Sequence, residues 1–194
     1  MDVIKIFYDS ETTGLNHKQH CIHQLAGLIE INNEVVQTFD FKMAPHPKAK
    51  VEKEALAIAG VTEEIVRSYT DQAIVFKQFK DMLGAYIDPY NTMQKGHLVG
   101  FNNRFFDDPF LRMWFELNGD QFIGSWFWND TLDVIVLASQ YLIDRRPHMP
   151  SFKQGRVAKE LGLKVEDGKL HNALYDVNLT RSIYRIVTGL EVEL

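Results

Sequence analysis

The stretch Val3-Ile4-Lys5-Ile6-Phe7-Tyr8 is apolar at every position but one, and it runs straight into two carboxylates, Asp9 and Glu11. Such a stretch reads as a buried strand. Side chains two apart on a strand leave the same face. Asp9 and Glu11 therefore point together at the strand's end, where Thr12-Thr13-Gly14 breaks the pattern. Two neighbouring carboxylates repel each other unless they are protonated or bridged by a cation. Hard oxygen ligands of this kind suit magnesium or manganese. Taken alone, the segment reads equally well as two exposed acids closing a strand.

The rest of the chain supplies a frame for that strand. Alternation over about residues 24–31 and 35–43 predicts two more strands, with Asn32-Asn33 as the hairpin turn between them. A loop carrying Pro45 and Pro47 follows. Helical periodicity runs near 73–86, a short buried strand over 97–101, and further helices over about 108–117, 131–141, 151–161 and 172–187. Ser151 with Gln154 is a candidate capping box, and Gly162 a stop. Hairpin-linked strands followed by alternating helix and strand predict an α/β fold, a mixed sheet flanked by helices. The 194 residues, without repeats or linkers, fit one domain spanning 1–194.

Three further residues can join Asp9 and Glu11. Asp107 precedes a helix start at which Asp108 is a plausible N-cap and Pro109 fits the first helical position. By itself Asp107 reads as another capping acid. Asp176 lies on the apolar stripe of the last helix, with Ala173, Val177, Thr180 and Ile183. A carboxylate on a core-facing stripe is costly unless paired or metal-bound, so Asp176 is expected to face the sheet that carries Asp9. His171, five residues earlier, lies about 140° away around an ideal helix. It can reach the same site only from the loop before the helix, a place that suits a general base better than a rigid ligand. Four acids and a histidine spread this widely make chemical sense if they converge on a pair of divalent metals, as in a nuclease.

Together these segments resemble the DEDDh family of 3′-to-5′ exonucleases, which includes the epsilon proofreading subunit of bacterial DNA polymerase III. The family's Asp-x-Glu-Thr-Thr-Gly stands as residues 9–14, its Phe-Asp-x-x-Phe-(Leu/Met) as 106–111, and its His-x-Ala-x-x-Asp as 171–176. Asp130-Thr131-Leu132 and the segment from Ser151 to Gly162 match in order and spacing as well. Asn102 stands where the family often has histidine, and Gln24 where it often has glutamate.

The resemblance implies a ribonuclease H-like fold, with a central five-stranded mixed sheet. It implies two divalent ions, Mg2+ or Mn2+, held by Asp9, Glu11, Asp107 and Asp176, with His171 as general base. Thr12 and Leu15 would contact the terminal nucleotide, Leu15 wedging against its base; Phe106 is the best placed aromatic to stack, and Asn103 matches the family's asparagine. The implied substrate is single-stranded nucleic acid with a free 3′ end, DNA first. An oligoribonuclease-like RNA exonuclease and a non-catalytic nucleic-acid-binding domain are the alternatives. A polymerase or repair partner and a stand-alone enzyme both stay open. The chain stops soon after its last helix, at Leu190–Leu194, so no long polymerase-binding tail is expected.

A formal charge of −5 runs against nucleic-acid binding, though two divalent ions would bring it to about −1. Locally, Arg145, Arg146, Lys153, Arg156, Lys159, Lys164 and Lys169 form a basic stretch that could track phosphates or simply be a solvated face. His17, His20, Cys21 and His23 crowd together but lack distant paired ligands for zinc. Trp114 and Phe115 fall at core spacing. One cysteine, no signal-like N-terminus and no long apolar run predict a cytoplasmic protein without a membrane span.

Overall fold

The alternation of the first strand does not stop at the acids. β1 spans Ile4–Thr12, so Asp9 and Glu11 lie within the strand rather than after it. β2 (Ile22–Ile31) and β3 (Glu34–Lys42) follow as a hairpin. Asn32 and Asn33 turn it with φ of +51° and +74°, a conformation asparagine tolerates better than most residues. Next come two short helices that periodicity did not predict, α1 (Lys53–Ile58) and α2 (Glu63–Arg67). α3 (Gln72–Leu83) starts where the side chain of Asp71 accepts the Ala73 amide. The remaining elements are β4 (Gly96–Gly100), α4 (Asp107–Leu117), α5 (Ile123–Trp126), β5 (Leu132–Asp133), α6 (Val134–Tyr141), a 3-10 turn at Arg146–His148, α7 (Gln154–Glu160) and α8 (Ala173–Val187). The computed structural model describes residues 2–166, 168, 170 and 172–191.

The five strands run in the order β3-β2-β1-β4-β5, antiparallel from β3 to β1 and parallel from β1 to β5. This is the mixed five-stranded sheet expected. β1 is central, but its two edges are unequal. Pairing with β2 runs from Ile4 to Thr12, whereas pairing with β4 ends at Phe7. The last residues of β1 therefore project beyond β4.

Because β1 alternates, it feeds two cores. Ile4, Ile6 and Tyr8 pack with Val75, Phe76 and Phe79 of α3 and Phe110, Leu111, Trp114 and Phe115 of α4. Phe7 packs on the other face with Val134 and Ala138 of α6, Val157 of α7, and Val177 and Ile183 of α8. Each fully buried large side chain of this kind contributes about 1.5–3 kcal/mol. Trp114 and Phe115 are thus core residues, as their spacing predicted.

Lys5, the one charge in the apolar run, is buried on an ion pair. Its Nζ lies 2.6 Å from Glu30 of β2, and Arg181 of α8 reaches the same carboxylate at 2.7 Å. This network ties α8 to the sheet end away from Asp9.

Three helix starts differ from the sequence reading. α4 begins at Asp107, so Asp108 is a helical residue and not the N-cap. Its carboxylate is taken by Tyr8 instead. α6 begins later than expected, with Asp133 capping the Ile135 amide. The Ser151–Gln154 box does not form: α7 begins at Gln154, whose amide donates to the Asp176 carbonyl at 2.7 Å and the Thr180 hydroxyl at 2.8 Å. For Asp108 and Gln154 a long-range partner outcompetes the local cap.

Candidate active site

A cleft opens at the projecting end of β1. Asp9, Glu11, Asp107 and Asp176 all line it, from β1, α4 and α8. β1 supplies the first two from one face by its alternation. α4 brings Asp107 in its first turn. α8 is started by Asn172, whose side chain accepts the Tyr175 amide at 3.1 Å, and this places Asp176 in the first turn. Asp107 and Asp176 are both buried.

The four acids feel one another. Burial, then Asp107, Glu11 and Asp176 in turn, push the Asp9 carboxyl well above its ordinary value. Burial, then Asp176 and Asp107, raise Glu11 to about 7. Burial raises Asp107 to about 7 as well, although hydrogen bonds from Ser10 oppose it. These are carboxylates that need either protons or cations. Among the described residues no group of three His, Cys, Asp or Glu side chains is drawn together as a ready-made metal cage. The fit to divalent cations rests on donor chemistry: hard carboxylate oxygens from three elements, in a cleft where burial amplifies their repulsion.

Thr12, Leu15 and Phe106 line the same cleft. Leu15 is 78% exposed, an unusual state for a leucine beside a buried site. Phe106 rests against Phe110, with ring centroids 5.3 Å apart. Asn103 does not reach the cleft. It is fully buried, and its amide donates to Thr131 Oγ1 at 2.6 Å and more weakly to Asp108. Its part is structural, linking the start of α4 to the sheet. His171 lies outside the described residues, as do Lys169 and Val192–Leu194.

The cleft also includes residues that sequence reasoning missed. Ala55 and Ile58 of α1 form an apolar wall, with Ile58 61% exposed. Asn102, held at a φ of +65° with its backbone amide donating to Asp133, also lines it. Of the basic stretch, Lys153 lines the cleft, while Arg156 and Arg145 pair with Glu160 at 3.3 and 4.0 Å. The histidine-rich segment has other uses: His20 bonds Asn16 and approaches Glu52 at 3.1 Å, and His23 is buried in β2.

Known proteins resemble this chain in sequence and in fold. The chain is 25% identical over 190 residues to DNA polymerase III subunit epsilon of Pasteurella multocida, covering 95% of this chain and 68% of that protein. It is 25% identical over 175 residues to the PolC-type DNA polymerase III of Oceanobacillus iheyensis, of which it spans 11%. A zinc-bound complex of E. coli Exonuclease I with single-stranded DNA superposes with a TM-score of 0.78 at 20% identity, over 97% of this chain and 41% of that one. A complex of the same enzyme with a dT13 oligonucleotide gives 0.74 at 21%, over 96% and 41%. The fold is therefore the ribonuclease H-like fold of these exonucleases. The sequence profile of the Exonuclease (RNase_T) family matches residues 6–184, and the chain belongs to that family.

Proposed function

We propose that residues 1–194 form one exonuclease domain that hydrolyses single-stranded DNA from its 3′ end and releases nucleoside 5′-monophosphates. The observation that carries this reading is the convergence of Asp9, Glu11, Asp107 and Asp176 on one cleft from three elements. These four would hold two divalent ions, Mg2+ or Mn2+. Such ions supply a more acidic attacking water and charge neutralisation at the leaving 3′ oxygen.

The chain's own residues do the rest. His171 accepts the proton of the attacking water. Leu15 and Thr12 seat the terminal nucleotide, Phe106 offers a stacking face, and the Ala55–Ile58 wall closes the far side of the base. Lys153 meets a backbone phosphate. An open, apolar-rimmed cleft suits a frayed end better than a duplex groove. A polymerase or repair assembly is the protein partner this reading favours, by the likeness to the epsilon subunit. A cytoplasmic location fits the lone, buried, unbridged Cys21. No helix among the described residues is long and apolar enough to cross a membrane.

Degradation of DNA and RNA oligomers labelled at the 3′ or 5′ end, with Mg2+, Mn2+ or chelator, tests the reading. Stepwise loss of mononucleotides from the 3′ end of DNA, abolished by chelator, is the expected result. Faster loss on RNA would assign an oligoribonuclease-like activity. Cleavage from the 5′ end, or undiminished cleavage in chelator, would overturn the reading.

A further inference from the structure

β1 carries its acids on one face and its polar side chains Tyr8 and Ser10 on the other. The second face meets the start of α4. The Ser10 amide donates to Asp107 Oδ1 at 3.1 Å, and the Ser10 hydroxyl donates to the same oxygen at 2.5 Å. One residue back along that face, the Tyr8 hydroxyl donates to Oδ1 of Asp108. Asp108 is held a second time through its amide, which donates to the Asn103 carbonyl at 2.8 Å. All of these side chains are buried. The geometry has a backbone cause. β4 stops pairing at Phe7, so the Ser10 amide has no strand partner on that edge, and a carboxylate takes the place of a carbonyl.

We propose that Ser10 is a positioning residue for the metal-binding carboxylate of Asp107. Both bonds fall on Oδ1, so Oδ2 is the oxygen left to a cation, and the carboxylate plane is set by the strand that also carries Asp9 and Glu11. Tyr8 acts one step further back, holding the helix start from which Asp107 projects. The serine between the two acids of the first motif thus couples them to the third acid. The inference rests on the metal-dependent exonuclease reading for its consequence, but not for its geometry. Hydrogen bonds to a metal-binding carboxylate orient it, and their loss typically weakens metal binding about ten- to hundredfold.

Ser10→Thr and Ser10→Val give side chains of nearly equal shape, one with the hydroxyl and one without. Mn2+ binding is followed by calorimetry, and turnover by the Mn2+ concentration at half-maximal rate. Ser10→Val should weaken binding about ten- to hundredfold and raise the half-maximal concentration in step. Maximal turnover at saturating Mn2+ should fall far less. Ser10→Thr should stay within about threefold of the parent. A purely steric role predicts equal effects of the two, and that result would overturn the proposal. Amide exchange at Ser10 in metal-free protein gives a second readout. Asp107→Ala should speed it while exchange at Ile6 is unchanged; an unchanged Ser10 rate would also overturn the clamp. A parent protein that binds no Mn2+ would overturn the metal-dependent reading instead, and the exchange comparison would still decide the clamp.

Discussion

Glu11, near the end of β1, and Asp176, in the first turn of α8, share one cleft so closely that Asp176 is second only to burial in raising Glu11 to about 7. Asp107 is raised to about 7 and Asp9 well above its ordinary value in the same cleft. Metal-free protein pays for this when the groups ionise. Their folded values lie above ordinary carboxyl values near 4. The stability they contribute is therefore complete below about pH 4 and lost as pH rises through about 7. The melting temperature in chelator should fall between about pH 5 and about pH 8, and Mn2+ should restore more of it at the higher pH. A melting series at several pH values, with and without Mn2+, checks both signs.

Neutral amides separate the chemistry from the fold. Asp9→Asn, Glu11→Gln, Asp107→Asn and Asp176→Asn each remove one charge from a repelling set. Each should cut hydrolysis to about one per cent or less, because every ligand position is needed. Each should also leave the metal-free protein at pH 8 as stable as the parent or more so. Oligomer degradation and thermal melting on the same preparations test the pair of expectations. Activity above about a tenth of the parent in two of these variants would break the shared-site account.

Glu30 should show the opposite pH sign. Burial raises its carboxyl, but hydrogen bonds from Lys5 and Arg181 outweigh burial and hold it below the ordinary value. Its stabilisation is present above the ordinary carboxyl range and is lost as pH falls through the depressed folded value. Glu30→Ala leaves Lys5 buried without its anion and should cost about 3–5 kcal/mol at neutral pH. Urea unfolding should show the gap between parent and variant narrowing toward about pH 3.

The contrast between Asp107 and Asp108 shows how far the sequence was legible. The long amphipathic runs and the Asn-Asn hairpin placed β1 to β4 and the helices α3, α4, α6, α7 and α8 within a few residues. Alternation correctly put Asp9 and Glu11 together, and the apolar stripe put Asp176 against the sheet. Local rules then misassigned Asp108 as a cap, because its true partner, Tyr8, is a hundred residues away in sequence. Gln154 was misread for the same reason: α8 recruits an amide that a capping box would have used locally. β5 is two residues long and α1 six, too short for periodicity to register. With α1 unread, Ile58 and Ala55 could not be assigned to the cleft. Nothing local marks Ser10 as a partner of Asp107; the signal lies in β4 being shorter than β1.

Lys153 gives an electrostatic test. It lines a cleft of four acids, and among the described residues it is the one cation on that lining. Lys153→Ala should raise KM on single-stranded oligomers more than it lowers kcat. It should also reduce the slope of log KM against log salt by about 0.7, the value for one phosphate contact on a single strand. Steady-state kinetics across a salt series measure both. An unchanged slope would remove Lys153 from the phosphate path.

His171 is assigned the proton of the attacking water. His171→Ala should lower turnover about a hundredfold or more, the scale of general-base loss. Mn2+ affinity should be nearly unchanged, because all four carboxylates remain. Calorimetry beside single-turnover kinetics distinguishes this from a ligand role, which would weaken Mn2+ binding as well.

Asp107 arrives on a helix that packs against one face of β1, and Asp176 on a helix that packs against the other. Neither layer alone assembles the four acids. The four acids meet only when both layers have docked on β1. The cleft therefore reports on the whole fold: a form in which either layer has come away keeps at most three of the four carboxylates in place.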